Sequence, residues 1–168
     1  MLNHGIVQQN ERFDLNAHEK NVLSKILDNI LTKGIEIIEL IKDEAFVLAD
    51  KNMVEAGIRN VISNAKKFTN KVGNINVALQ CVKTESGKYC HLSFEDNGIG
   101  ISTKKRSELL NSAYQATKRD TEGTLGIGLG FSNSKEFIEK NAGSITVERE
   151  LGRGSKVTSR LPLAQLII

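Results

Sequence analysis

Several residue types are scarce in this sequence, and each shortage excludes a class of protein. Among its 168 residues there is no tryptophan, aromatic residues make up 5%, and Pro162 is the one proline. So few aromatic rings predict an aliphatic core and offer little for stacking on bases. The net charge of +3 is also too small to indicate a nucleic-acid partner, although basic residues cluster at 104–106 and 118–119. Such runs are typical of solvated loops, so we expect one domain that binds no nucleic acid.

Long apolar runs and cysteines are scarce as well. No apolar stretch reaches the length of a membrane span, and the first residues lack the basic and apolar regions of a signal peptide. The two cysteines, Cys81 and Cys90, flank a turn at 84–87, and simple hairpin pairing would set them opposite each other. Two cysteines are too few for a disulfide scaffold, so we expect reduced thiols in a cytoplasmic domain without membrane contact.

Hydrophobic periodicity and turn residues predict alternating strands and helices. Helices are expected at 16–34, 51–68 and 131–140. Strands are expected at 11–14, 35–41, 46–48, 74–83, 88–94, 144–150 and 155–161. This order predicts an α/β (α+β) two-layer sandwich, in which one mixed, mostly antiparallel sheet carries about three helices on one face. We expect a polar lead-in at 1–10, the domain at 11–162 and an apolar tail at 163–168.

The helix predicted at 51–68 carries two stripes. The apolar stripe consists of Val54, Ile58, Val61, Ile62 and Ala65. Asn60, Asn64 and Lys67 lie beside it, within about 60° of each other at 3.6 residues per turn. Asparagine is a poor helix former, and its side-chain oxygen is a ligand that hard cations accept. The stripe is therefore either a solvated flank or a site for a cation and phosphates.

Two glycine-rich segments also have two interpretations each. At 95–100, Asp96 follows a strand and could accept from an exocyclic amine, while Gly98 and Gly100 would let a flat ring approach the backbone; the alternative is a plain turn. At 123–130, four glycines precede the third helix and suit a phosphate, whereas the alternative is a linker. Phe131 stands where a third glycine of the dinucleotide fingerprint would fall, and no P-loop motif occurs.

Together these segments resemble the GHKL ATPases with the Bergerat ATP-binding fold, and within them the sensor histidine kinases. Residues 60–69 resemble the family's N box, 96–101 its G1 box and 126–130 its G2 box. Residues 152–155 and the strand closing at 161–162 resemble its C-terminal strand pair. The resemblance covers 11–162, with the boxes in the family's order.

The resemblance implies a Mg²⁺–ATP site. Its residues would be Asn60, Asn64, Lys67, Phe68, Asp96, Gly98, Gly100, Ile101, Lys118, Arg119, Gly126, Ile127, Gly128, Leu129 and Gly130. Asn60, Asn64 and Lys67 would be catalytic: Asn64 would coordinate magnesium, Asn60 would assist it and Lys67 would contact phosphate. Asp96 would accept the adenine amine.

The remaining roles follow from the same resemblance. Phe68 would lie beside the adenine, and the glycines of 126–130 would cradle the phosphates. Residues 102–125 would form a mobile lid from which Lys118 or Arg119 reaches the γ-phosphate. The lid departs from the family pattern, because Tyr114 is the one aromatic residue where a phenylalanine box is usual.

The phosphoacceptor histidine of the family has no counterpart here. His4, His18 and His91 lack its sequence context and are predicted to be surface or core residues. The implied partners are therefore a dimerisation and histidine-phosphotransfer domain of the same kinase and a response regulator. The domain alone would be a monomer, cytoplasmic or the cytoplasmic part of a membrane-anchored sensor.

Three other functions remain open at the level of sequence. An anti-sigma-type serine kinase can be a domain of this size, and a degenerate module could bind nucleotide without catalysis. A hydrolase of the gyrase and mismatch-repair kind would need a glutamate base where Asn60 stands, so phosphoryl transfer ranks above hydrolysis.

Overall fold

The structure of the chain is a computed structural model that describes residues 7–41, 44–69, 73–98, 126–150 and 153–164. Within these ranges it has three helices: α1 Leu15–Thr32, α2 Lys51–Phe68 and α3 Gly126–Lys140. It has seven strands: β1 Asn10–Asp14, β2 Glu36–Leu40, β3 Phe46–Asp50, β4 Asn74–Thr84, β5 Gly87–Asp96, β6 Ser144–Glu150 and β7 Gly154–Pro162. Gly100, Ile101, Lys118, Arg119 and the segment 102–125 lie outside the described residues.

The strands form two hydrogen-bonded sheets. The larger has the order β2-β4-β5-β7-β6, with β2 parallel to β4 and the other neighbours antiparallel. The smaller pairs β1 with β3. The predicted α/β sandwich with a mixed, mostly antiparallel sheet is confirmed. The expectation of one sheet is wrong, because β1 and β3 separate from the rest.

Hydrogen bonds at the start of α1 explain why β1 and β3 pair with each other. Asp14 ends β1, and its Oδ1 accepts the Ala45 N–H at 3.0 Å and the Asn16 N–H at 3.1 Å. The Leu15 N–H also donates to the Ala45 carbonyl at 2.8 Å. One aspartate thus caps α1 and fixes the chain just ahead of β3 against it.

The core is aliphatic, as the composition predicts, and Phe13 and Phe94 are its two aromatic residues among those described. The predicted apolar stripe of α2 is buried in it: Val54, Ile58, Val61, Ile62 and Ala65. Helix α2 also packs on α3, where the Ser134 hydroxyl donates to the Gly57 carbonyl at 3.1 Å. The burial of one face of α2 holds its neighbouring polar edge in a fixed direction.

Helix α3 begins earlier than the sequence predicts. It starts at Gly126, so the expectation of a loop at 126–130 ahead of a helix at 131 is wrong. Glycine costs a helix about 1 kcal/mol relative to alanine. Because residues 126–130 include three glycines, the sequence does not predict a helix there. The backbone N–H groups of such a first turn have no partner within the helix.

Both ends of the described chain are tied to the domain. Near the start, Gln8 donates to the Lys140 carbonyl and the Asn141 side chain, each at 3.1 Å. Past β7, the Leu163 N–H donates to Lys88 at 3.0 Å and the Ala164 N–H donates to Phe46 at 2.8 Å. The segment after Pro162 therefore connects the two sheets. None of the described helices is long and apolar enough to cross a membrane.

Candidate nucleotide site

Asp96 is the last residue of β5, and its carboxylate is buried with a partner on each oxygen. The residue is 4% exposed. Its Oδ1 accepts the Gly98 N–H at 2.9 Å, and its Oδ2 accepts the Ser155 hydroxyl at 2.7 Å. Two donors fix the plane of the carboxylate, while each oxygen keeps a lone pair for a further donor. The predicted base-binding aspartate is therefore a pre-oriented acceptor.

Gly154 makes this arrangement possible. It has a φ of +98°, and a Cβ atom there would lie 1.9 Å from the carbonyl oxygen of Asp96. Only glycine tolerates both that conformation and that approach. The close pairing of β7 with β5 sets Ser155 opposite Asp96. The sequence predicts a strand pair that includes 152–155 but does not predict that Ser155 is a partner of Asp96.

The turn after β5 is also held by hydrogen bonds. The Asn97 N–H donates to the Asn74 carbonyl at 3.3 Å, and the Asn97 side-chain oxygen accepts the Asn74 N–H at 2.9 Å. Asn97 thus extends the β4–β5 ladder by one residue with its side chain. Gly98, which the resemblance places in the base pocket, is buried directly after it.

The polar stripe of α2 supplies two half-buried carboxamides. Asn60 and Asn64 lie one turn apart beside the buried stripe, and α2 packs against β5. Within the described part of the chain, neither side chain makes a hydrogen bond, so both remain available to a ligand. Lys67 and Phe68 belong to the last turn of α2, but their side chains are not described, so their roles stay predictions.

The glycines of the third predicted box lie in the first turns of α3. A helix N-terminus has unpaired N–H groups and the positive end of the helix dipole, which together favour an anion. The backbone of residues 126–130 lies in a helix and not in a loop. The phosphate contact of these residues stays a prediction.

The two described histidines lie on α1 and β5. His18 is 3% exposed, and its Nε2 donates to the Lys51 carbonyl at 3.0 Å. Burial lowers the pKa of His18 and, on β5, that of His91. His18 is thus a core residue and His91 is half-buried on β5, while His4 lies outside the described residues.

Comparisons with known proteins identify the family that this chain resembles. Residues 49–165 match the family described as histidine kinase-, DNA gyrase B- and HSP90-like ATPase. The chain is 28% identical over 144 residues to the sensor histidine kinase WalK of Bacillus subtilis, a match that covers 83% of this chain and 23% of WalK. It is 27% identical over 150 residues to RppB of Synechocystis, covering 89% of this chain and 32% of RppB.

Solved structures agree with the fold. The mycobacterial sensor histidine kinase MprB superposes with a TM-score of 0.76 at 20% identity, covering 94% of this chain and 100% of that chain. The catalytic domain of histidine kinase ThkA gives a TM-score of 0.76 at 22% identity, covering 92% and 95%. The chain spans less than a third of the length of the curated relatives WalK and RppB.

The comparisons favour the sensor histidine kinases over the serine kinases and the hydrolases, since the similar proteins named above are sensor histidine kinases. The match to the family model covers well over half of the chain and includes α2, Asp96 and the start of α3. The chain therefore belongs to the family of histidine kinase-, DNA gyrase B- and HSP90-like ATPases, with a fold shared by histidine kinase catalytic domains.

Proposed function

We propose that this chain is the ATP-binding catalytic domain of a two-component sensor histidine kinase. It transfers the γ-phosphoryl group of Mg²⁺–ATP to a histidine that a dimerisation domain of the same kinase supplies, and a response regulator receives the phosphoryl group afterwards. The observation that carries the proposal is the buried Asp96 carboxylate, which Ser155 and Gly98 orient and which keeps unused acceptor capacity.

The orientation of Asp96 supports selection of adenine. A carboxylate accepts a hydrogen bond from the exocyclic amine of adenine, and it repels the carbonyl oxygen that guanine carries at the same ring position. Burial strengthens both effects because it excludes competing water. Asp96 thus binds and orients the base, and the neighbouring Gly98 leaves room for the ring.

The edge of α2 supports the phosphate end of the site. Asn64, assisted by Asn60, would hold Mg²⁺ through its carboxamide oxygen. Both side chains are half-buried and bond to no other described residue, which fits that role. When bound, the metal ion neutralises charge on the phosphates. Lys67 and the N–H groups at the start of α3 would stabilise the remaining negative charge, so the chain mainly positions the transferring group.

The identity of residue 60 supports transfer over hydrolysis. Hydrolysis in this superfamily would require a base to take a proton from water, and the neutral carboxamide of Asn60 cannot accept one at physiological pH. The attacking group is then the imidazole of the substrate histidine, which needs no such base.

Calorimetric titration tests the proposal. The purified chain is titrated with ADP and with a non-hydrolysable ATP analogue, with and without Mg²⁺. We expect binding of both nucleotides that strengthens with Mg²⁺, and we expect Asn64→Ala to abolish the strengthening.

Ser63→Ala is the matched control, because Ser63 is exposed on the same helix. This variant should keep the magnesium effect. Absence of nucleotide binding under all conditions would contradict the proposal and favour a degenerate module.

A further inference from the structure

The two cysteines face each other across the β4–β5 hairpin. Cys81 is the register partner of Cys90. Thr84 and Gly87 close the two-residue turn, and hydrogen-bonded and non-hydrogen-bonded pairs alternate from there. Cys81 and Cys90 are therefore a non-hydrogen-bonded pair, a position at which Cα atoms lie about 4.5 Å apart and side chains approach most closely. That separation is within the range of roughly 4.4–6.8 Å that a disulfide spans.

The two thiols lie on the same face of the hairpin as register partners but have opposite environments. Cys90 is 0% exposed, whereas Cys81 is exposed to solvent. Burial in the core, together with the adjacent Cys81, raises the pKa of the Cys90 thiol to about 12. A reagent in solution therefore meets Cys81 first, and Cys90 reacts only with what forms on Cys81.

Small molecules have access to Cys81 from an open cavity. The cavity has a volume of about 870 Å³, and Cys81 lines it together with Arg12, Phe46, Lys83 and Leu163. It lies at the end of β5 opposite to Asp96. Oxidation of Cys81 would therefore occur away from the candidate nucleotide site.

We propose that Cys81 and Cys90 form a redox-active pair, a modification site at which a peroxide converts two thiols into a reversible cross-strand disulfide. The Cys81 thiolate attacks the O–O bond of the peroxide, which leaves a sulfenic acid on Cys81 and releases hydroxide. The Cys90 sulfur then attacks the Cys81 sulfur, the S–O bond breaks, and the departing oxygen takes the Cys90 proton to leave as water. Two thiols and one hydrogen peroxide yield one disulfide and two waters, and a dithiol reductant reverses the change.

Intact-protein mass spectrometry under non-reducing conditions tests the pair. After exposure to hydrogen peroxide, the monomer should lose ~2 Da for the two hydrogens removed, and dithiothreitol should restore the mass. The oxidised protein should also melt at a higher temperature than the reduced protein, since the crosslink restricts the unfolded chain. A wild-type protein that only gains oxygen atoms, or that only forms disulfide-linked dimers, would overturn the proposal.

Two single variants test the order of reaction. Cys90→Ala, which keeps an apolar side chain in the core, should accumulate a sulfenic acid on Cys81 that dimedone traps. Cys81→Ser should remain unlabelled while folded and become reactive in urea. If folded Cys81→Ser reacts as fast as Cys90→Ala, then Cys90 is not shielded and the assigned roles are wrong.

Discussion

Two buried carboxyl groups of this domain have opposite surroundings. Asp96 lies at the end of β5 with a hydrogen-bond donor on each oxygen. Glu19 lies in α1 with 0% exposure, and neither of its oxygens has a hydrogen-bond partner in the described part of the chain. Burial, reinforced by the negative charge of Glu39 on β2, raises the pKa of Glu19 to about 8.

The difference shows what a buried acid needs in order to serve as a binding group. Donors that are already in place stabilise charge and fix direction, so Asp96 can meet a ligand without reorganisation. Without donors, burial favours the neutral form, so Glu19 carries a proton at neutral pH.

Replacing Gly154 should disrupt the close contact between β7 and β5 at Asp96 and destabilise the protein. Gly154→Ala puts a Cβ atom 1.9 Å from the Asp96 carbonyl oxygen in a backbone conformation of φ +98°. Strain and overpacking together should lower the free energy of unfolding by roughly 3–5 kcal/mol. Urea denaturation measures the change.

Gly57→Ala is the matched control for this substitution. Its Cβ atom would meet its nearest neighbour, Ile138, at 3.8 Å, which is ordinary contact, and Gly57 is inside α2. The free energy of unfolding should be unchanged or rise by about 0.5–1 kcal/mol. Equal destabilisation by both variants would show that the close approach at Gly154 is not the cause.

Glu19 should make stability depend on pH. Its pKa is higher in the folded than in the unfolded protein, so the folded state binds the extra proton between about pH 4.5 and pH 8. The Glu19 contribution to the free energy of unfolding is greatest below that window and falls as pH rises through it, by up to ~1.4 kcal/mol per unit.

Glu19→Gln should remove this dependence. At pH 8 the variant should be more stable than the wild type by on the order of 2–3 kcal/mol, less than the full titration because the amide is left unpaired. Thermal melts of both proteins from pH 5 to pH 9 measure it. Parallel curves for the two proteins would mean that Glu19 does not titrate in this window.

Removing one donor from Asp96 should have the smallest effect. Ser155→Ala removes the 2.7 Å hydrogen bond to Oδ2 but leaves the Gly98 donor in place. We expect a loss of about 1 kcal/mol in unfolding free energy and ~5-fold weaker nucleotide binding. Ser159→Ala, also buried on β7, is the control and should leave nucleotide affinity unchanged. An equal loss of affinity in both variants would contradict a specific role for Ser155.

Features set by local sequence were predicted correctly. The apolar stripe of α2, the facing cysteines and the position of Asp96 at the end of a strand all follow from periodicity and turn residues. These signals lie within one helix or one hairpin, where side-chain direction depends only on the backbone of that element.

Features set by distant contacts were missed. The pairing of β1 with β3 joins residues that are distant in sequence, and the support of Asp96 depends on β7 pairing with β5. The burial of Glu19 was equally hidden, since a glutamate in an amphipathic helix is usually solvated. Sequence periodicity does not specify which elements meet, so these contacts required the structure.

The proposed function depends on recognition of the ATP base by Asp96, which the Asp96→Asn variant tests. The change keeps the shape of the side chain but introduces a donor where an acceptor is needed, and Glu95→Gln, on the exposed neighbouring residue of β5, is the control. We expect calorimetry to show at least ~100-fold weaker binding of the ATP analogue to Asp96→Asn, with an intact fold and unchanged affinity for Glu95→Gln. Unchanged affinity for a folded Asp96→Asn would show that Asp96 does not bind the base.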